Sequence, residues 1–270
     1  MSVASPVRTL VDGWVVAKRN LIKIKRVPEI MVFVLLSPIM FVLLFAYVFG
    51  GAIDAGPGLD YKEFLIGGIF AQTVVFGATF TGASLAEDMQ KGFIDRFRSL
   101  PMARSAVLVG RTGSDIVYNV VSLVIMALTG LLVGWRAHGS ILDTLSAFLL
   151  LLVFAYAISW VMAWVGLSVP SVDVINNASF LVIMPLTFVS NAFVPTESFP
   201  NGLQKVVEWN PVSALTQAVR DLFGNLPDGQ PVPDAWSLQH PVLYTLLWIV
   251  LILAVFVPLS VRQYQKASLK

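Results

Sequence analysis

EDMQKGFIDRFRSLPMAR, residues Glu87 to Arg104, is a charged island in an apolar chain. Seven of its eighteen residues are ionisable: Glu87, Asp88, Lys91, Asp95, Arg96, Arg98 and Arg104. Long apolar runs stand on either side. A charge at the centre of a membrane helix costs about 2.5–3.5 kcal/mol, so the island belongs in water or at the headgroup boundary, and the runs beside it read as spans. Asp95, Arg96 and Arg98 read as part of a short amphipathic helix whose apolar side carries Phe93, Phe97 and Leu100 at helical spacing. Gly92 permits a bend before that helix and Pro101 closes it. Two readings of the segment stand: a solvated loop between spans, or a helix that docks on a partner protein.

The chain around the island has 270 residues, of which 57% are hydrophobic and 13% charged. A soluble domain carries about twice that charge fraction. The apolar residues come in blocks of about the twenty residues needed to cross the hydrocarbon, so the expected class is a polytopic, all-α membrane protein. Six spans are expected, at 30–50, 64–86, 112–135, 143–169, 174–194 and 241–261. In the third, Asp115 follows Arg111 by four residues, a spacing that allows an ion pair at the water boundary. Ser37-Pro38, Pro185 and Pro258 are candidate kinks. A net charge of +2 gives no reason to expect nucleic acid, and the absence of cysteine excludes disulfides and thiolate sites.

Residues 1–28 are too polar for the bilayer core. Val7, Leu10, Val11, Trp14 and Leu21 fall on one helical face, with Arg8, Asp12, Arg19, Lys23 and Arg26 on the other. That pattern suits either an interfacial helix on the membrane or a helix packed on a partner. Domain division follows: 1–28 as the amphipathic segment and 29–270 as the spanning domain. Lys and Arg set the orientation. Fourteen of them fall in the first segment, the second-to-third loop and the tail, whereas Lys62, Arg136, Lys205 and Arg220 alone fall on the other side. The excess of positive charge puts both termini in the cytoplasm and the long 195–240 connection outside. Within that connection, Pro211 to Asn225 reads as a helix, with Val212, Leu215, Val219, Leu222 and Phe223 as its stripe, and a shorter helix is expected over 202–209. These helices either dip into the outer leaflet or lie on the surface.

The pattern acidic–x–x–x–x–Gly–x–x–acidic–Arg–x–x–x–x–Pro–x–x–Arg, carried by Glu87, Gly92, Asp95, Arg96, Pro101 and Arg104, resembles the cytoplasmic coupling segment of ABC-2 type export permeases, those of the daunorubicin-resistance type in particular. NAFVP at Asn191–Pro195, WNP at Trp209–Pro211 and Arg220 resemble the same family. The resemblance implies a permease subunit that pairs with a second copy or a related permease in the cell membrane. Two copies of a separate ATP-binding subunit would dock underneath and hold ATP and magnesium. On that view the island, from Glu87 and Asp88 to Arg104, couples ATP hydrolysis to efflux of a hydrophobic drug, lipid or glycolipid. The short helices between the last two spans would be re-entrant.

The chemistry of the residues is consistent with a borrowed energy source. There is no G-x-x-x-x-G-K-[ST] and no HExxH motif, so no nucleotide, cofactor or metal is expected on this chain and no catalytic residue is assigned. Five spans have interiors essentially free of charge, which argues against an ion-coupled secondary carrier. A membrane scaffold that recruits a cytosolic partner through the same island is the other alternative. Mild polarity and aromatic bulk meet in the second and fifth spans. Gln72, Thr73, Phe76, Phe80, Phe188, Asn191 and Phe193 are the candidate pathway residues, with helix–helix packing as the competing explanation.

Overall fold

A computed structural model of the chain describes residues 12–20, 22, 36, 38–49, 60–92, 106–169, 171–226 and 234–267. Eleven helices occupy most of them, and no strand occurs among the described residues. They are α1 (residues 12–20), α2 (Pro38–Val48), α3 (Tyr61–Gly77), α4 (Thr79–Gln90), α5 (Ala106–Val133), α6 (Ile141–Gly166), α7 (Val172–Phe188), α8 (Asn201–Glu208), α9 (Pro211–Phe223), α10 (Trp236–Gln239) and α11 (Pro241–Ala267).

The frame is set by α3 and α4. They run on through a single turn residue, Ala78, to give a 30-residue apolar rod of which 83% of the most apolar stretch is buried. Its start is fixed by Asp60, whose carboxylate accepts the Lys62 backbone N–H at 2.9 Å. The rod crosses α6 so closely that a side chain on Gly166 would lie 2.4 Å from the Gly82 carbonyl oxygen; only glycine lets the two backbones meet there. Around this crossing α6 also packs on α5, α9 and α11. Phe70 of α3 packs edge-on against Trp135 at 5.6 Å and Phe148 at 5.5 Å, and Phe223 closes the cluster 5.0 Å from Trp135.

Among the described residues, four helical runs are long and apolar enough to cross a membrane: Tyr61–Gln90, Val107–Val133, Ile141–Gly166 and Pro241–Lys266. Their outer faces leave Val117, Val124, Leu128, Leu246, Leu247 and Leu251 exposed, a surface that water would disfavour and lipid suits. At the expected third span the described helix runs from Ala106 to Val133, so Arg111 and Asp115 pair inside the helix rather than at its start. The expected fifth span is shorter than read. Its helix, Val172–Phe188, has 17 residues, about 26 Å of helical rise against a hydrocarbon core of about 30 Å. Pro185, which has no N–H to give, lies in its last turn. Of the expected first span, residues 36 and 38–49 are described, and Leu44–Phe49 is a π-helix.

Among the described residues of the 195–240 connection, the main helix is buried in the bundle. This helix, α9, opens on Asn210 and Pro211 as expected and ends at Phe223, two residues before the expected limit. Val212, Leu215, Val219 and Phe223 are buried, and the helix packs between α3, α6 and α11. The shorter α8 keeps Val207 inside and leaves Leu203 and Val206 exposed. At the other end, α1 sets Gly13, Val16, Ala17 and Asn20 inward, with Val16 and Gly13 against Gly110 of α5, and turns Trp14 outward at 65% exposure.

Candidate functional site

The second span and α7 do come together around a cavity. Its volume is about 450 Å³, and it lies between α2, α3, α4, α5 and α7. Five of the seven residues proposed from sequence line it: Gln72, Thr73 and Phe76 from α3, Phe80 from α4 and Phe188 from α7. Asn191 and Phe193 do not. Phe193 lies just beyond the wall, stacked on Phe188 at 5.1 Å and on Phe45 at 4.8 Å. Asn191 is buried in the turn after α7, where its backbone N–H donates to the Ser213 hydroxyl at 3.1 Å. The sequence reading missed Phe41 of α2 and, above all, Tyr118 and Ser122 of α5. The signal for the last two was present: a polar stripe of Asp115, Tyr118, Asn119 and Ser122 at helical spacing along an apolar span. The walls are aromatic, no charged side chain among the described residues lines them, and the size lies within the ~300–1,000 Å³ typical of sites for drug-sized ligands.

Two buried charges are held in place within the bundle. Arg220, counted from sequence among the outward-facing cations, is fully buried. Its Nε donates to the Phe64 carbonyl at 2.7 Å, and its two terminal nitrogens donate to the carbonyls of Asn191 and Ala192 at 3.0 Å each. Three carbonyls and an aromatic face replace the lost hydration; burial lowers the guanidinium to about 9, still cationic at neutral pH. On the other side Asp115 of α5, also buried, accepts the Thr81 hydroxyl of α4 and pairs with Arg111 at 3.3 Å. The expected ion pair is therefore present, but inside the bundle, where it joins two helices. Arg111 also donates to the Phe80 carbonyl at 3.2 Å, and the Phe80 ring meets Tyr118 at 5.5 Å, so this pair borders the cavity wall.

The charged island begins where α4 ends. Glu87 and Asp88 occupy its last turn, and Gly92, with φ +64, takes the left-handed turn that a bend requires. Asp88 accepts from Arg19 of α1 at 2.9 Å, and Asn20 donates to Ser114 of α5 at 3.3 Å. Lys91 pairs with Glu87 one turn back, and that hydrogen bond raises its ammonium above the usual lysine range. Phe93, Asp95, Arg96, Phe97, Arg98, Leu100, Pro101 and Arg104 lie outside the described residues.

Comparison with known proteins gives a consistent set of likenesses. The profile of the family described as "ABC-2 type transporter" matches residues 12–223. The daunorubicin resistance ABC transporter permease protein DrrB1 of Streptomyces coeruleorubidus is 35% identical over 260 residues, which cover 96% of this chain and 87% of that one. The putative transport permease ycf38 of Cyanophora paradoxa is 24% identical over 78% of this chain and 74% of its own. The probable doxorubicin resistance ABC transporter permease protein DrrC of Mycobacterium tuberculosis (strain ATCC 25618 / H37Rv) is 26% identical over 72% of this chain and 66% of its own.

Proposed function

Because the chain belongs to the ABC-2 type transporter family and is a membrane permease subunit of an ABC exporter, we propose that it moves a hydrophobic or amphipathic compound, drug or lipid, out of the cell. The observation that carries this reading is the cavity of about 450 Å³ between the second span, α5 and α7, with aromatic walls and a few neutral polar groups. Binding there suits large apolar bodies. The permease acts with a second copy or a related permease and two copies of an ATP-binding subunit, which supplies ATP and magnesium; this chain does no hydrolysis itself. Its six spans include α2 with the residues before it and α7 with the turn after it. Its termini are cytoplasmic, and α8 to α10 form the outer, re-entrant segment. Residues Glu87 to Arg104 receive the ATP-binding subunit.

Daunorubicin, the drug in the name of the 35% identical relative, is the substrate to test first. The permease and its ATP-binding partner, reconstituted in inside-out vesicles, should accumulate it when given ATP. Uptake should be unchanged when ionophores collapse proton and sodium gradients. Uptake that needs a gradient and no ATP would make the chain a secondary carrier. A complex that binds its ATP-binding partner but moves none of a panel of drugs and lipids would make it a scaffold.

A further inference from the structure

The hydroxyls around the cavity are not equivalent. Thr73 donates to the Ile69 carbonyl and Thr79 to the Phe76 carbonyl, both at 2.7 Å, so these two groups are spent within their own chain segment. Tyr118 and Ser122 are different. They stand one turn apart on α5 and both line the cavity. Tyr118 is 8% exposed and Ser122 2%. Neither hydroxyl makes a full hydrogen bond among the described residues, and each lies within reach of the other. Buried polar atoms are nearly always paired, and two unpaired hydroxyls side by side on one cavity wall need a reason. Beyond each other, the described surroundings supply no partner. The Phe80 ring covers Tyr118, and the nearest carboxylate along the helix, Asp115, is already engaged by Arg111 and Thr81.

We infer that Tyr118 and Ser122 form the polar anchor of the cavity. It takes an uncharged, flat ring system whose hydroxyl or carbonyl oxygen completes both hydrogen bonds. Tyr118 donates to that oxygen, and Ser122, able to donate or accept, fixes its orientation. The rings of Phe76, Phe80 and Phe188 cover the apolar body. An anion is the wrong chemistry here, because no Lys or Arg among the described residues lines the cavity to replace its water and Asp115 lies one turn away. A phospholipid headgroup is therefore the wrong chemistry for this end of the site. The inference takes from the export reading only that the ligand is the cargo.

Three fluorescent probes of one ring system test it: anthracenemethanol, anthracene and anthracene carboxylate. Each is titrated, without nucleotide, against the full chain in lipid nanodiscs, with empty nanodiscs as the blank. Anthracenemethanol should bind the parent, and Tyr118→Phe with Ser122→Ala should weaken it about tenfold. Anthracene should bind parent and variant alike, and the carboxylate should bind neither. Removing unpaired hydroxyls strands no other group, so the variant should keep the parental melting temperature. If it does not, Ser122→Ala alone should still weaken anthracenemethanol about threefold. The inference is overturned if anthracenemethanol fails to bind the parent, binds parent and variants equally, or binds no better than the carboxylate. Because ATP is absent, this result is separate from the export test: binding without transport removes the function proposed above and keeps the anchor, and transport with indifferent binding does the reverse.

Discussion

The guanidinium carbon of Arg220 lies 3.4 Å from the centre of the Phe64 ring, and Arg220 Nε donates to the carbonyl of that same residue at 2.7 Å. With its bonds to Asn191 and Ala192, one side chain ties α9 to the start of α3 and to the turn after α7. Replacing it strands three carbonyls. Arg220→Met should cost about 3 kcal/mol or more, and Arg220→Lys nearly as much, because an ammonium cannot match a planar fork. Thermal unfolding in detergent measures both. A parental melting temperature for Arg220→Met would show that the clamp contributes nothing.

Asp115 and Arg111 should behave as a unit. Removing one partner leaves the other buried and unpaired, so Arg111→Met should destabilise by about 3–5 kcal/mol. Adding Asp115→Leu removes the stranded charge and should restore much of the loss. A double-mutant cycle on melting temperature reads the coupling. Additive losses would mean that the two groups do not interact.

Gln72 and Asn191, equivalent in the sequence reading, are separated by the structure. Gln72 lines the cavity, so Gln72→Leu should change the order of preference among transported drugs by about an order of magnitude, the value of one hydrogen bond or a little more. Asn191 is buried outside it, so Asn191→Leu should leave that order as in the parent. Competition assays on reconstituted vesicles decide. Equal shifts for both, or none for Gln72→Leu, would separate the cavity from the pathway.

These residues also mark how far the sequence could be read. Blocks of apolar residues announce spans, and Asn210-Pro211 announces the start of α9, because both signals are local. What a local signal does not carry is the partner of a charge. Arg220 looks like an outward cation until three backbone carbonyls from α3 and the 191–192 turn are seen to converge on it. Asp115 looks like a boundary residue until Thr81 of another helix reaches it. The cavity residues of α3 and α7 were legible because polarity in an apolar span is conspicuous. Tyr118 was missed because a tyrosine among aliphatics reads as packing, although the polar stripe it shares with Asp115, Asn119 and Ser122 was there to be read.

Orientation can be checked in this cysteine-free chain by single cysteines at exposed positions. Ser237 is a poor choice, since it is buried and donates to the Glu208 carbonyl. Lys205 on α8 and Arg262 near the end of α11 are exposed. An impermeant thiol reagent on intact cells should label Lys205→Cys and spare Arg262→Cys, as the distribution of Lys and Arg requires. The reverse pattern would invert the topology.

On the proposed reading, with ATP held by a separate subunit, work reaches the permease through a surface contact, and the segment opening at Glu87 has the composition for it. Asp88 is tied to Arg19 at 2.9 Å, so a push on the segment reaches α1 and α4 together, and α4 carries Phe80 into the cavity wall. Beyond Gly92, the spacing of Phe93, Phe97 and Leu100 gives an apolar face that can fill a groove on the ATP-binding subunit. Buried aromatics dominate such contacts, at about 2 kcal/mol or more each on truncation. Phe97→Ala should therefore weaken association about tenfold or more. Asp95→Ala with Arg96→Ala acts on orientation and should lower substrate-stimulated ATP hydrolysis more than it lowers association. The charge of this stretch argues against a place in the hydrocarbon, so insertion should be normal. Co-purification of the ATP-binding subunit and stimulated hydrolysis are the readouts. If the triple variant matches the parent in both, the segment is a loop and the contact that drives transport lies elsewhere.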